Sequence, residues 1–193
     1  MKPQQPHLHF DLVAIGCSAG GIDALKGILP KLPKNFRPTV VVVQHIARTV
    51  RSTLADFFVE QCQIPVKEAE DKEPIASGTI YFAPSGYHLL IEDDRTFALS
   101  VDAPVQFARP SIDVLMESVA RVYRDLGAGF VLTGSNRDGA DGLAEMLAQG
   151  GFVAVQDPKT ADFPQMPQAA VDATQTLFVL SLAEIEHLIA GLE

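Results

Sequence analysis

Cysteine is nearly missing from this chain: Cys17 and Cys62 are the only two in 193 residues. Two thiols build neither a disulfide framework nor a four-ligand zinc site, and a reduced, cytoplasmic setting is expected. Long apolar runs are missing as well, none approaching the ~20 residues that a membrane helix needs. The start, Met1-Lys-Pro-Gln-Gln-Pro-His-Leu-His9, lacks the apolar core of a signal peptide. Positive charge is the scarcer sign, with 15 Lys and Arg against 24 Asp and Glu, a net charge of −9. Without a cationic stripe to neutralise phosphates, general nucleic-acid binding is excluded. There is no repeat and no low-complexity tract, which argues against a solenoid or a disordered chain.

What is present is an ordinary globular composition, 47% hydrophobic and 20% charged. At this length the simplest reading is one domain that buries roughly 70% of its unfolded surface. Leu12 to Ile15 is a short, partly β-branched apolar run stopped by Gly16, so it reads as a buried strand. Ile22, Leu25 and Leu29 recur near helical spacing beyond it. Thr39 to Val43 is almost continuous valine, as in a strand covered on both faces of a parallel sheet. A helix over 50–61 is expected to turn Leu54, Phe57 and Phe58 inward. Short strands follow at 78–82, 87–91 and 96–99, the last two joined by Glu92-Asp-Asp-Arg95 as a hairpin, so part of the sheet is expected to be antiparallel.

Ser111 is expected to cap a helix whose inner face carries Leu115, Val119 and Val122. Strands at 129–133, 152–156 and 177–180 follow, with a helix after the Gly134–Gly142 loop that ends at the Gly150-Gly151 pair and a closing one over 182–192. Alternation of this kind predicts a three-layer α/β/α sandwich. Its sheet would be mostly parallel and doubly wound, with the antiparallel hairpin at one edge.

In such folds sites form in loops past the carboxyl ends of the strands. Three of these loops carry Ser18, His45 and Asp138. An alcohol, an imidazole and a carboxylate are what acyl transfer requires: a nucleophile, a group to take and return its proton, and a group to orient the ring. Ser18 lies on a tight strand-to-helix turn, and the backbone N–H groups of Ala19 and Gly20 are candidates for an oxyanion site there. The first loop is not a P-loop, because no Lys-Ser or Lys-Thr follows its glycines. It does not fit the dinucleotide fingerprint either, since Ser18 stands where the second glycine would be. Gly16-Cys-Ser-Ala-Gly20 fits the nucleophile elbow, yet the order Ser, His, Asp differs from that of α/β-hydrolases.

Seven segments, in order, resemble the chemotaxis protein-glutamate methylesterase family. They are Ile15-Gly-Cys-Ser-Ala-Gly-Gly21, Val42-Val-Gln-His45, Val66-Lys-Glu-Ala-Glu-Asp71, Ala83-Pro-Ser-Gly-Tyr-His88, Arg109-Pro-Ser-Ile-Asp-Val-Leu115, Leu132-Thr-Gly-Ser-Asn-Arg-Asp-Gly-Ala140 and Met166-Pro-Gln-Ala-Ala170. The resemblance implies a serine esterase that hydrolyses γ-methyl esters of glutamate on the cytoplasmic part of bacterial chemoreceptors, some members also deamidating glutamine. It implies Ser18 as nucleophile, His45 as base and Asp138 as orienter, with no metal or organic cofactor. It also implies a polar tail over 1–10 and one catalytic domain over 11–193. Members usually carry an N-terminal receiver domain, and the roughly ten residues ahead of the first strand are too few for one. A phosphate-, nucleotide- or receptor-binding module of the same fold is the alternative. Arg109 is expected either to meet substrate carboxylates or to pair with Asp113. Arg48 and Arg51 either lie solvated or steer an acidic partner. Arg137 is expected to depress the Asp138 pKa or to compete for it with His45, and Asp141 to cap the following helix.

Overall fold

A computed structural model describes residues 9–45 and 54–192. Nine strands and six α-helices alternate along them: β1 (Leu12–Cys17), α1 (Gly21–Ile28), β2 (Thr39–Gln44), α2 (Leu54–Val59), β3 (Val66–Glu68), β4 (Ile80–Phe82), β5 (His88–Ile91), β6 (Phe97–Ser100), α3 (Ile112–Tyr123), β7 (Gly127–Val131), α4 (Ala140–Ala148), β8 (Phe152–Gln156), α5 (Gln165–Thr174), β9 (Val179–Leu180) and α6 (Leu182–Ala190). Seven strands form one parallel sheet in the order β3-β4-β2-β1-β7-β8-β9. The chain winds outward from β1 through β2, then crosses to β7 on its other side. β1 is therefore the switch point, and loops leaving β1, β2 and β7 open onto one rim.

Alternation along the strands builds the three layers. Val13 and Ile15 of β1, with Val40 and Val42 of β2, face a core completed by α1, α2 and α6. Leu12, Ala14, Val41 and Val43 face the opposite core, filled from α3, α4 and α5. Both faces are covered, which is why the valine run of β2 carries no polar residue before Gln44. Phe58 on α2 stacks against Phe82 with ring centroids 5.5 Å apart.

Some expectations needed adjustment. The hairpin is present, with His88 opposite Ser100, but β5 and β6 stand as a separate two-stranded sheet against α3 rather than as an edge of the main sheet. Within α2 only Phe58 of the aromatic pair is buried. Phe57, one residue earlier, is exposed, and Lys26 lies over its ring. The first residues of the helix expected over 50–61 lie outside the described ones. Val122 on α3 is half-buried, the fully buried positions being Leu115 and Val119. Two elements were not anticipated. β3 is three residues with two charges, too short for a periodic signal. α5 has Pro164 as its N-cap and Pro167 in its first turn, where the missing N–H is no loss.

The contact of α3 with α4 is close enough to be tested. A Cβ on Gly142 of α4 would lie 2.8 Å from the Asp113 carbonyl oxygen and 2.9 Å from its Cα. Backbone cannot yield there. On α1, a Cβ on Gly27 meets only a Leu182 methyl at 3.8 Å. Gly27→Ala is expected to stabilise the protein by up to about 1 kcal/mol through helix propensity, whereas Gly142→Ala destabilises it by about 1–3 kcal/mol through overpacking. Denaturant midpoints of the two variants read the opposite signs.

Candidate active site

β1 and β2 run in register with Cys17 beside Gln44, so Ser18 and His45 leave the sheet side by side, roughly 5 Å apart at the backbone. The His45 N–H donates to the Cys17 carbonyl at 3.0 Å. One buried side chain ties both residues down: Gln44 Nε2 donates to the Ser18 carbonyl at 2.8 Å and to the His45 carbonyl at 2.9 Å. Its Oε1 accepts the Cys17 thiol proton at 3.2 Å. Burial pushes that thiol's pKa well up, so Cys17 stays protonated beneath the turn and does not act as a nucleophile. The Ser18 N–H donates to the Thr133 carbonyl at 3.0 Å, which links the turn to the segment after β7.

Past Ser18 the chain turns sharply at Gly20, whose φ of +77° is in the left-handed region. Gly21 N–H closes the turn onto the Ser18 carbonyl, while the Ala19 and Gly20 amides have no partner among the described residues. They stand at the start of α1, where its dipole favours negative charge. The Ser18 hydroxyl is half-buried and makes no hydrogen bond within the described residues. The Ser18 hydroxyl and the His45 imidazole are therefore not hydrogen-bonded to each other.

Asp138 is completely buried. Its Oδ2 meets His45 Nε2 at 2.8 Å and accepts the Ile112 N–H at 2.7 Å. Oδ1 accepts the Ser111 hydroxyl at 2.8 Å and the Asp113 N–H at 3.1 Å. The carboxylate thus sits on the N-terminus of α3, with four donors around it. Asp113 returns the arrangement: its Oδ1 accepts the N–H groups of Gly139 at 2.9 Å and Gly142 at 2.8 Å, capping α4. Burial works against the charge on Asp138, but the His45 bond and the α3 amides overcome it and hold the group below the usual carboxylate range. For Asp113 burial wins, helped by the neighbouring Asp138 charge, and its pKa is pushed up to about 7. The imidazole, 12% exposed, presents Nε2 to the acid and keeps Nδ1 for a second partner.

A comparison with known families matches residues 13–189 to the model described as CheB methylesterase. The chain belongs to the CheB methylesterase family. It is 47% identical over 186 residues, 96% of both chains, to a Leptospira interrogans protein provisionally named for protein-glutamate methylesterase and protein-glutamine glutaminase activity. A protein-glutamate methylesterase/protein-glutamine glutaminase of Symbiobacterium thermophilum is 38% identical over 90% of this chain, which spans 49% of that protein. The crystal structure of the Thermotoga maritima CheB methylesterase catalytic domain superposes with a TM-score of 0.88 at 31% identity, over 94% of this chain and 97% of that one.

Several CheB-like residues do other work than expected. Arg137 is exposed and pairs with Asp141 at 2.8 Å, so it neither reaches Asp138 nor competes with His45. Asp141 consequently caps nothing, and Asp113 supplies that role from α3. Arg109 does not pair with Asp113 either. Its Nη1 donates to the Val101 and Asp102 carbonyls, bracing the segment before α3. Arg48 and Arg51 lie outside the described residues. Gln44 and Asp113 were not singled out from the sequence, although a polar residue ending a buried valine run and an acid two places after a cap were the available signals. Among the described residues, no three His, Cys, Asp or Glu side chains gather as a metal site, and no helix is long and apolar enough to cross a membrane.

The two acids titrate in opposite senses. A carboxyl whose folded pKa lies above its unfolded value of about 3.9 costs stability as pH rises from there to the folded value. For Asp113 that window runs up to about pH 7. Asp138 contributes stability above its unfolded value and loses it as pH falls. Asp113→Asn keeps an oxygen for the Gly139 and Gly142 amides but cannot ionise. Relative to wild type it should gain on the order of 2 kcal/mol between pH 5 and pH 8, read from urea unfolding. A difference independent of pH would refute the assignment.

Proposed function

We propose that this chain is a serine esterase that removes the methyl group from γ-glutamyl methyl esters on the cytoplasmic part of bacterial chemoreceptors. The observation that carries the reading is the His45–Asp138 bond, 2.8 Å long and sealed from water on the acid's side, beside the Ser18 turn. In the mechanism this supports, the Ser18 hydroxyl attacks the ester carbonyl and gives its proton to His45 Nδ1. Asp138 holds the ring through Nε2 and stabilises the imidazolium. Oxygen that becomes negative is received by the Ala19 and Gly20 amides at the start of α1. The imidazolium then protonates the leaving methoxide as methanol. Water, deprotonated by the same nitrogen, hydrolyses the acyl-enzyme to free glutamate and Ser18.

The relatives' paired names favour a second substrate of the same chemistry. With a glutamine side chain the leaving group is ammonia, and the acyl-enzyme is identical. No metal or organic cofactor enters either route. Ser18→Ala is expected to lower methanol release from methylated receptor by roughly 10³-fold or more while the fold is retained. Mass spectrometry of receptor peptides before and after incubation checks it, and full demethylation by the variant would reject the mechanism.

A further inference from the structure

The segment between β6 and α3 presents an aromatic ring that nothing in the fold uses. Phe107 is 102% exposed. It occupies a two-residue reverse turn closed by Val105 N–H to Ala108 O at 3.1 Å and Ala108 N–H to Val105 O at 2.8 Å. Both central residues lie in the left-handed region, Gln106 at φ +48° and Phe107 at φ +65°. Turns of this kind favour Asn-Gly, because an ordinary side chain is strained there. A Gln-Phe pair in that conformation stores strain only to hold a large apolar group in water.

The turn is not loose. Arg109 Nη1 holds the Asp102 carbonyl at 2.8 Å and also that of Val101. His88 Nε2 meets the Ala103 carbonyl at 3.1 Å, while its Nδ1 accepts the Ser111 N–H at 3.2 Å. Ser111 in turn donates to Asp138. Phe107 is four residues from Ser111, so it lies at most about 14 Å from that cap along the chain. Two further apolar residues stand at the same end of the hairpin. His88 pairs with Ser100, and one step beyond this pair are Tyr87, 43% exposed, and Val101, 68% exposed. The end of the hairpin that meets the α3 cap thus carries two exposed apolar side chains, and the turn between it and α3 carries the third.

We propose that Tyr87, Val101 and Phe107 form an apolar lip that grips the substrate polypeptide beside its target glutamate, with Phe107 as the main contact. The inference rests on the esterase reading above, since it takes the occupant to be the receptor segment that Ser18 deacylates. That occupant follows from continuity with the site: the lip is braced through His88 and Ser111 onto the acid that orients the base. Charge points the same way. The protein carries −9 overall and a carboxylate is what the reaction leaves on its substrate, so contact is best made through a neutral surface. An exposed aromatic anchor is what a protein-binding rim needs. The partner's chemistry is accordingly an apolar side chain near the esterified glutamate on the same polypeptide.

The test compares Phe107→Asn, whose side chain tolerates left-handed φ and so keeps the turn, with wild type on two substrates. On methylated receptor, KM should rise about tenfold with kcat little changed. On a small methyl or nitrophenyl ester, and in fluorophosphonate labelling of Ser18, the variant should match wild type. Unchanged KM on receptor overturns the lip, and so does an equal loss on both substrates. Wild type that cleaves the small ester but not the receptor ester overturns the substrate reading instead, and the lip with it.

Discussion

An exchange of buried carboxylates between two helix starts holds the catalytic rim together. Asp138, on the loop that leads into α4, serves the N-terminus of α3, and Asp113, in the first turn of α3, serves the N-terminus of α4. Each acid satisfies amides that would otherwise be orphaned inside the protein, and each helix start stabilises a charge that burial alone would not tolerate. The two helices can approach closely enough for this only because Gly142 lacks a side chain where it meets Asp113. A packing constraint between helices is therefore also what fixes the acid that orients His45.

The same exchange divides the labour between two like charges. Asp138 has more donors, including the imidazole, and keeps its negative charge. Asp113, with two amides and the Asp138 carboxylate nearby, is the one whose ionisation is deferred. Burial raises the Asp113 pKa first and the Asp138 charge adds to it, while the donors around Asp138 keep its pKa low. On the other side of the rim the restraint is neutral. Gln44 spends both amide hydrogens on the carbonyls of Ser18 and His45, so these two residues are aligned through their backbones without any hydrogen bond between their side chains.

Much of this was legible in the sequence because the strands and helices that carry the site are strongly patterned. β1, β2, β7 and β8 are apolar runs bounded by glycine or polar residues, and each lies within two residues of its expected place. The position of Ser18, His45 and Asp138 on neighbouring strand ends follows from that pattern and from the winding of the sheet. Partnerships between side chains were less legible. Arg137 reaches one helical turn forward to Asp141 rather than one residue forward to Asp138, and Arg109 reaches back to two carbonyls. Nothing in a linear spacing distinguishes these outcomes. The detachment of the hairpin from the main sheet was equally hidden, because alternation fixes which face a strand buries and not which sheet it joins. Phe57 and Phe58 show the same limit at the scale of one residue: on this helix only the second of two adjacent aromatics is buried.

The central position of β1 has a further outcome. Ser18 at its end meets His45 from the strand on one flank and Asp138 from beyond the strand on the other, so the rim is the seam along which two halves of the sheet are stitched. Neither half contains a working set of groups by itself. Separation of β7 from β1 would release the acid, and separation of β2 would release the base. The pairing of β2 with β1 and of β1 with β7 is thus what keeps the three side chains on one rim.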